Sequence, residues 1–338
     1  MTSTKLNLVS ANLLTAQQPP ASNYLIKNYI DTNSLVMLYA EPAVGKSLIA
    51  IDWACCIASG KGWNGNQVQQ NNVVMLVGEG HNGITKRLKA WEIKHQTMLP
   101  ADSLFVSDGG IDLDTEAGLL ATTEAINNLS KPVGLIIIDT LHRHFSGEEN
   151  SASDMGKLVR NLDQLRQQFS CSVLVVHHSG HASNGRARGS SSLKAAVDTS
   201  YRLELKEKQR ILCCDKSKDT EPAKDTAYQI ELVSLTGWFD DENNPLSSVV
   251  LLTTNQPAAS ITKSFNTGAI KALEALKNKG GSCRLEEWRN EFDELYGGTA
   301  DANRKALERA KENLLEQSLI SIVDGTVTLI EGGKQASA

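Results

Sequence analysis

The chain of 338 residues has no long apolar run and no excess of positive charge. No apolar run reaches the roughly 20 residues that a membrane-spanning helix needs, which excludes a predicted span. Residues 1–20 hold one lysine and no continuous apolar segment, so the sequence predicts no secretory signal. The net charge of −5 gives no global basic field, so any contact with DNA must come from a local patch or from the channel of an oligomer.

The cysteines do not form a zinc-binding pattern. They are Cys55, Cys56, Cys171, Cys213, Cys214 and Cys283. Two adjacent pairs and two single residues lack the spacing that zinc ligands require. Several of these cysteines lie in apolar runs, which favours buried and reduced thiols. Together with the missing span and signal, this pattern predicts a cytoplasmic protein with no membrane partner.

Short apolar runs alternate with helix-length segments in the first half of the chain. The runs are Leu35–Tyr39, Val73–Val77, Leu135–Ile138 and Ser172–Val176. The segments with helical spacing are Ser47–Ala58, Ile84–His95, Thr115–Asn128 and Asp154–Phe169. Nearly continuous runs of Val, Ile and Leu are typical of parallel strands that are buried on both faces. The alternation predicts an α/β fold with a mainly parallel sheet.

The second half of the chain changes character. Four strand-like segments with short polar turns are Thr199–Leu205, Gln209–Cys214, Ala227–Leu235 and Ser247–Thr253. They predict antiparallel hairpins that extend the parallel sheet. The predicted domains are a flexible segment 1–22, a large α/β domain 23–254, a linker 255–264, a small domain 265–332 and a flexible tail 333–338.

The small domain has the order of a winged helix. Its predicted helices are Thr267–Lys277, Arg284–Tyr296 and Asp301–Gln317, followed by the strands Leu319–Val323 and Thr326–Ile330. Asp324-Gly325 predicts a tight turn between these strands. Winged helices bind duplex DNA or other proteins, and both alternatives stay open for this domain.

The segment Leu35–Ala50 has the layout of a phosphate-binding loop. An apolar strand leads into a short loop ending in Gly45-Lys46-Ser47, and a helical pattern follows. The predicted nucleotide-binding residues are Glu41, Pro42, Ala43, Val44, Gly45, Lys46, Ser47 and Leu48. Lys46 would reach the outer phosphates and the Ser47 hydroxyl would bind Mg²⁺. The pattern expects glycine where this chain has Ala40, and the alternative interpretation is a structural turn.

Two carboxylates follow strands of the predicted sheet. Asp139 closes the run Gly134–Asp139, at the strand end where ligands bind in open α/β sheets, which predicts a metal-binding role. Glu79 follows the strand Val73–Val77 between two glycines, which predicts that it activates the attacking water. The alternatives are a turn-capping Asp and a solvated loop Glu.

Three further segments carry polar groups of interest. His177-His178 ends a strand, and we expect His178 to contact the γ-phosphate. Residues 183–192 are basic and rich in Gly and Ser, which predicts a mobile loop that binds single-stranded DNA, with a plain solvent loop as the alternative. Lys216 and Lys218 follow a strand and would reach the nucleotide of a neighbouring subunit, although such a cluster is also common on solvated surfaces.

Together these motifs resemble the RepA family of hexameric replicative helicases of plasmids and phages, a RecA-like branch of the P-loop ATPases. The residues that carry the resemblance are Tyr39–Ser47, Val77–Gly80, Ile136–Thr140, Val175–Gly180, Arg188–Ser191 and Lys216–Asp219. The resemblance covers about residues 24–254. It implies a RecA-like core that assembles as a ring, with ATP at the subunit interfaces and the loop 183–192 facing the channel.

The resemblance also implies roles for single residues. Lys46 and Ser47 would hold ATP and Mg²⁺, Glu79 would be the base, Asp139 would lie at the metal, and the histidine pair would sense the γ-phosphate. The plasmid helicases use an arginine shortly after the Arg-Gly-Ser-Ser motif as a finger toward the neighbouring subunit. The corresponding segment here is Lys194–Asp198. The candidate fingers are therefore Lys216, Lys218 and Arg202.

We therefore expect a cytoplasmic, ATP- and Mg²⁺-dependent motor that forms a homo-oligomer, with a hexameric ring expected, and acts on DNA in the replication of a mobile element. One alternative is an ATP-switched recombination or regulatory protein that does not unwind DNA. Another is a winged-helix repressor with a weak ATPase. A small-molecule kinase is disfavoured because the sequence shows no lid or acceptor site.

Overall fold

The computed structural model describes residues 8–16, 23–178, 191–206, 209–254, 267–316 and 319–330. The chain divides into two units, Met1–Ala259 and Ser260–Ala338. The predicted linker 255–264 and the predicted tail 333–338 lie outside the described residues, as do parts of the predicted N-terminal segment.

The first unit contains a large mixed sheet and a separate two-stranded sheet formed by its first two strands. Its strands are β1 (Tyr24–Ile26), β2 (Ile30–Asp31), β3 (Leu35–Ala40), β4 (Asn72–Val77), β5 (Leu104–Val106), β6 (Val133–Asp139), β7 (Ser172–His178), β8 (Thr199–Lys206), β9 (Gln209–Ser217), β10 (Thr226–Phe239) and β11 (Pro245–Thr253). Among the described residues, nine strands pair in the order β11-β10-β9-β8-β3-β7-β6-β4-β5. Strands β8, β3, β7, β6, β4 and β5 are parallel. Strands β9, β10 and β11 extend the sheet in antiparallel fashion. The predicted α/β core is confirmed.

The described helices of the first unit are α1 (Ala11–Ala16), α2 (Lys46–Ser59), α3 (His81–His95), α4 (Glu116–Asn127), α5 (Ala152–Phe169) and α6 (Ser191–Ala196), with a 3₁₀ helix at Leu141–Arg143. Helices α2 to α6 connect the parallel strands, whereas α1 precedes β1. All six residues of β3 are buried. Alternation along this strand sends Val36 and Leu38 into the core on one face, with α2, and Leu35 and Met37 into the core on the other, with α5. Burial on both faces explains the continuous apolar runs of the sequence.

The strand order decides where the polar strand ends lie. Strand β7 lies between β3 and β6, and β4 follows β6. Because these four strands are parallel, their carboxyl ends share one edge of the sheet. The residues that follow them, which sequence analysis singled out, therefore meet at this edge.

Several short elements are not predictable from the sequence. Strands β1, β2 and β5 have three residues or fewer, too short for a periodic pattern. Helix α6 begins at Ser191, so the last two residues of the predicted loop 183–192 are helical. Residues 183–190 of that loop lie outside the described residues. Helix α1 lies within the predicted flexible segment 1–22, and all its residues are exposed.

The second unit has its own core. Its elements are α7 (Thr267–Asn278), β12 (Ser282–Arg284), α8 (Leu285–Tyr296), α9 (Ala300–Glu316), β13 (Ile320–Val323) and β14 (Thr326–Leu329). Trp288 and Phe292 of α8 are fully buried in this core. Asp324 and Gly325 both have positive φ, as a two-residue hairpin turn requires. The expected helices and hairpin form, β12 was missed, and the winged-helix assignment stays a prediction.

Helix α2 carries a carboxylate into the core of the first unit. The Asp52 carboxylate accepts hydrogen bonds from Trp63 Nε1 and Trp91 Nε1, both at 2.7 Å. The imidazole of His95 stacks on Trp91 at 4.6 Å. Burial raises the pKa of Asp52 to about 6, although the two indole donors oppose this shift. Asp52 therefore ties the helix after the phosphate loop to α3.

We expect the stability difference between the protein and its Asp52→Asn variant to depend on pH. The folded state holds the Asp52 proton up to a pH of about 6, whereas the unfolded chain releases it near about 3.9. The contribution of Asp52 to the free energy of unfolding is therefore largest below the unfolded pKa and falls as pH rises, by about 1 kcal/mol between about pH 5 and 7. Urea unfolding followed by tryptophan fluorescence measures this difference.

The control is Asp154→Asn on α5. Hydrogen bonds, first from Lys157, lower the pKa of Asp154, so its contribution is lost only as pH falls below about 3.9 and should stay constant between about pH 5 and 7. A wild-type minus Asp52→Asn difference that stays constant over this range would contradict the assignment.

Candidate nucleotide-binding site

The phosphate loop joins β3 to α2. Ala40 is still part of β3 and is buried beside His178 of β7. The positive φ angles fall later, at Ala43 (62°) and Gly45 (115°). Ala40 needs no left-handed conformation, which explains why the chain tolerates alanine where the pattern expects glycine. Ala43 carries the strain instead, on the order of 1–2 kcal/mol for an alanine at positive φ.

The Lys46 ammonium lies inside this loop. It donates hydrogen bonds to the carbonyls of Ala40 (3.0 Å) and Glu41 (2.8 Å). It also lies 3.3 Å from Nδ1 of His178. Only 5% of the residue is exposed. Burial lowers the pKa of Lys46 to about 8, although the Asp139 carboxylate opposes this shift.

A pocket of about 270 Å³ opens beside the loop. Its lining residues are Ser47, Glu79, Gly80, Ile84, Arg87 and Asp139. We call it the nucleotide pocket. The structure thus brings together Ser47, Glu79 and Asp139, which the sequence places at the ends of three different segments. Lys46 and His178 meet next to it.

The donor atoms of this pocket fit a hard cation. Asp139 is 5% exposed, and Ser47 lines the same pocket. The Oδ1 atom of Asp139 is buried and has no hydrogen-bond partner among the described residues. Burial raises the pKa of Asp139, and the Ser47 hydroxyl, Lys46 and Arg87 counteract this. Within the described ranges no group of three or more Cys, His, Asp or Glu could hold a metal by itself. Mg²⁺ commonly uses one or two carboxylates together with substrate phosphates, which agrees with this donor set.

Three arginines at the site were missed by sequence reasoning. Arg87 of α3 lines the nucleotide pocket. Arg143 of the 3₁₀ helix pairs with Glu79 at 3.1 Å. Arg210 of β9 donates through Nε to the Val44 carbonyl at 2.9 Å, on the phosphate loop. Arg87 lies two helical turns after Gly80, so helical spacing could have indicated it. Arg143 and Arg210 reach the site through tertiary contacts, for which the sequence carries no local signal.

The candidate fingers do not line the nucleotide pocket of their own chain. Lys216 Nζ donates to three carbonyls near the end of α6, at 2.6–3.3 Å. Lys218 Nζ lies 3.5 Å from Asp198. Arg202 pairs with Asp215 and Glu204. Their role toward a neighbouring subunit stays a prediction.

A family model described as an AAA domain matches residues 2–184, more than half of the chain. The chain belongs to the AAA domain family. The match spans the phosphate loop, Glu79, Asp139 and His178. It therefore places the nucleotide pocket within a known class of ATPase domain.

Two solved structures are similar to this AAA domain protein at low sequence identity. One solved ATPase domain is 14% identical, with a TM-score of 0.44, and the match covers 64% of this chain and 85% of that one. A KaiC-like protein from the hyperthermophilic archaeon Pyrococcus horikoshii OT3 is 13% identical, with a TM-score of 0.46, covering 69% and 95%. At these values neither structure assigns a function to the chain. No curated protein matches it. None of the helices in the described part of the chain is long and apolar enough to cross a membrane.

We expect nucleotide affinity to fall above about pH 8. The Lys46 ammonium attracts phosphates only when it is protonated, and burial sets its pKa in the free protein at about 8. Affinity should then decrease by up to about tenfold for each pH unit above this value. Titration with a fluorescent ATP analogue between about pH 7 and 9.5 measures the effect.

Lys46→Arg provides the comparison, because a guanidinium stays charged over this range. That variant should show a flat profile, whatever its absolute affinity. Lys131→Ala, at an exposed lysine before β6, should keep the wild-type profile. Parallel profiles for the wild type and Lys46→Arg would contradict the role of Lys46.

Proposed function

We propose that the chain is an ATP-hydrolysing motor that acts on DNA as a ring-forming helicase of the RepA type. The observation that carries the proposal is the contact of 3.3 Å between Lys46 and His178, beside a pocket lined by Ser47, Glu79 and Asp139. This contact joins the phosphate-binding lysine to the strand that precedes the predicted DNA loop. A nucleotide that engages Lys46 would therefore act directly on that strand.

Each polar side chain of the pocket has a part in hydrolysis. Lys46 donates to the β- and γ-phosphates, and the loop N–H groups surround them. Ser47 and Asp139 would hold Mg²⁺, which would neutralise the charge that develops on the phosphates. Glu79 orients the attacking water and accepts its proton. Arg87 adds positive charge at the same wall.

His178 serves as the sensor of the γ-phosphate. Its Nδ1 lies beside Lys46, and β7 ends at this residue. Loss of the γ-phosphate removes the anion that Lys46 and His178 share, so the end of β7 can shift. We propose that residues 183–192, which follow, bind the backbone phosphates of single-stranded DNA through Arg186 and Arg188.

The proposal includes a ring of identical subunits, with a hexamer expected. Lys216 and Lys218 would then face the nucleotide of the adjacent subunit and stabilise transition-state charge. The second unit would contact duplex DNA or a protein partner as a winged helix. Light scattering on the purified protein with an ATP analogue tests the ring.

The decisive experiment compares ATP turnover with and without single-stranded DNA. We expect DNA to stimulate turnover and ATP to drive separation of a forked duplex. Lys46→Ala should abolish turnover because the phosphates lose their main cation. Glu79→Gln should still bind ATP but lose hydrolysis, since the amide cannot accept the proton.

Lys131→Ala is the matched control and should behave as the wild type. If DNA does not change the rate of turnover and no strand separation occurs, the helicase proposal is wrong. The alternative is then an ATP-switched protein that does not unwind DNA. Normal turnover in Lys46→Ala would overturn the assignment of the phosphate loop itself.

A further inference from the structure

The backbone around Glu79, the proposed base, does little to hold its side chain in one orientation. Glu79 lies between Gly78 and Gly80, directly after β4. Gly80 has a φ of 74°, in the left-handed region that glycine favours. The Glu79 side chain is about half exposed, at 53%. A carboxylate in this position needs another group to hold it in the productive orientation.

Arg143 makes that contact. Its Nε and Nη2 atoms donate to the same oxygen of Glu79, Oε2, at 3.2 and 3.1 Å. Within the described residues no hydrogen bond occupies the second oxygen, Oε1. The arginine thus fixes one oxygen of the carboxylate and leaves the other for water.

The backbone packing of Arg143 shows that this contact is built into the fold. A Cβ atom added to Gly78 would lie 2.0 Å from Cβ of Arg143. One added to Gly110 would lie 2.5 Å from the Arg143 carbonyl oxygen. The Arg143 N–H also donates to the Thr140 carbonyl at 3.0 Å. We call Gly78 and Gly110 the glycine seat, because only residues without a side chain let Arg143 approach so closely.

We propose that Arg143 is the positioning residue of Glu79, acting through it on the water that attacks ATP. The inference rests on the proposed function, because it requires Glu79 to be the base. An exposed ion pair alone stabilises a fold little, by about 0–1 kcal/mol. The effect of this pair therefore lies in orienting the carboxylate rather than in stability, and the glycine seat sets how closely the Arg143 backbone approaches Glu79.

The geometry indicates that Arg143 holds Glu79 in a productive orientation and does not restrain it in an inactive one. Glu79 already lines the nucleotide pocket while it is paired with Arg143. The arginine therefore does not withdraw the carboxylate from the site. Its removal should release Glu79 into several orientations and lower turnover, whereas removal of a restraint would raise it.

The first test is the pair of variants Arg143→Ala and Arg143→Lys. Arg143→Ala should lower kcat by roughly 10- to 100-fold while KM and the affinity for a fluorescent ATP analogue stay within about twofold. Arg143→Lys should recover part of kcat, because an ammonium supplies the charge but not the fork of two N–H groups. Lys157→Ala on α5 removes an ion pair whose cation is similarly exposed and should leave kcat unchanged.

Gly78→Ala tests the seat with the arginine kept. The added methyl group displaces Arg143, so the variant should show the same loss of kcat with unchanged nucleotide affinity. The double variant Gly78→Ala with Arg143→Ala should be no worse than either single variant, because both act through one contact. Full additivity would contradict the shared mechanism.

The Glu79→Gln background separates the two proposals. If Glu79→Gln lowers turnover to a small residual rate and Arg143→Ala does not lower that rate further, Arg143 acts through Glu79. Wild-type or raised turnover in Arg143→Ala, beside an inactive Glu79→Gln, would overturn the positioning role alone. Normal turnover in Glu79→Gln would overturn the proposed function on which it rests.

Discussion

The burial of Lys46 and Asp139 at one edge of the sheet is the constraint on which the site depends. Each residue is 5% exposed. Burial disfavours the charged form of both, and each counteracts the shift in the pKa of the other. Neither charge would be tolerated there alone. The two buried charges together form a site for a polyphosphate and its cation. The phosphates would neutralise Lys46, and the cation would neutralise Asp139.

The strand register determines which side chains lie next to Lys46 and Asp139. Strand β7 lies between β3 and β6, so its end lies between the phosphate loop and Asp139. Asp139 is in register with Val176, whereas His178 is in register with Ala40. Strand β7 thus extends two residues beyond Asp139, which brings the imidazole to Lys46. A shift of one residue in this register would point His178 to the other face of the sheet.

The sequence was sufficient for the parts of this arrangement that depend on local pattern. Continuous apolar runs predicted the buried parallel strands, and polar residues after them predicted which side chains meet. The strand lengths were underestimated at β6 and β10, because polar and glycine residues at their ends obscure the apolar pattern.

Contacts between distant segments could not be predicted. Arg143 reaches Glu79 only because β4 and β6 are neighbours and because the glycine seat admits its backbone. Asp52 looked like an ordinary helix residue, yet two indoles from other segments bind it in the core. In both cases the partner residues lie at separations that no local period encodes.

A second set of contacts links the phosphate-loop strand to α6. Tyr39, the residue before Ala40, donates its hydroxyl to Asp215 of β9. Lys194 of α6 lies 3.3 Å from the same hydroxyl and 3.7 Å from Asp215. Lys216, next to Asp215, binds the carbonyls near the end of α6. Helix α6 is therefore held from β3 and from β9 at once.

This double attachment bears on how nucleotide binding can reach the rest of the molecule. His178 precedes the basic segment 183–192, and α6 begins within its last two residues, so contacts at the nucleotide edge hold the described residues on both sides of that segment. A movement of the Lys46 ammonium acts on the first flank through His178, whereas a movement of β3 acts on the second through Tyr39 and Lys194. Both attachments begin between Tyr39 and Lys46, a span of eight residues that contains the phosphate loop. One event at the phosphates can therefore displace both flanks together. Such a coupled displacement is what a motor needs if its substrate lies on that segment.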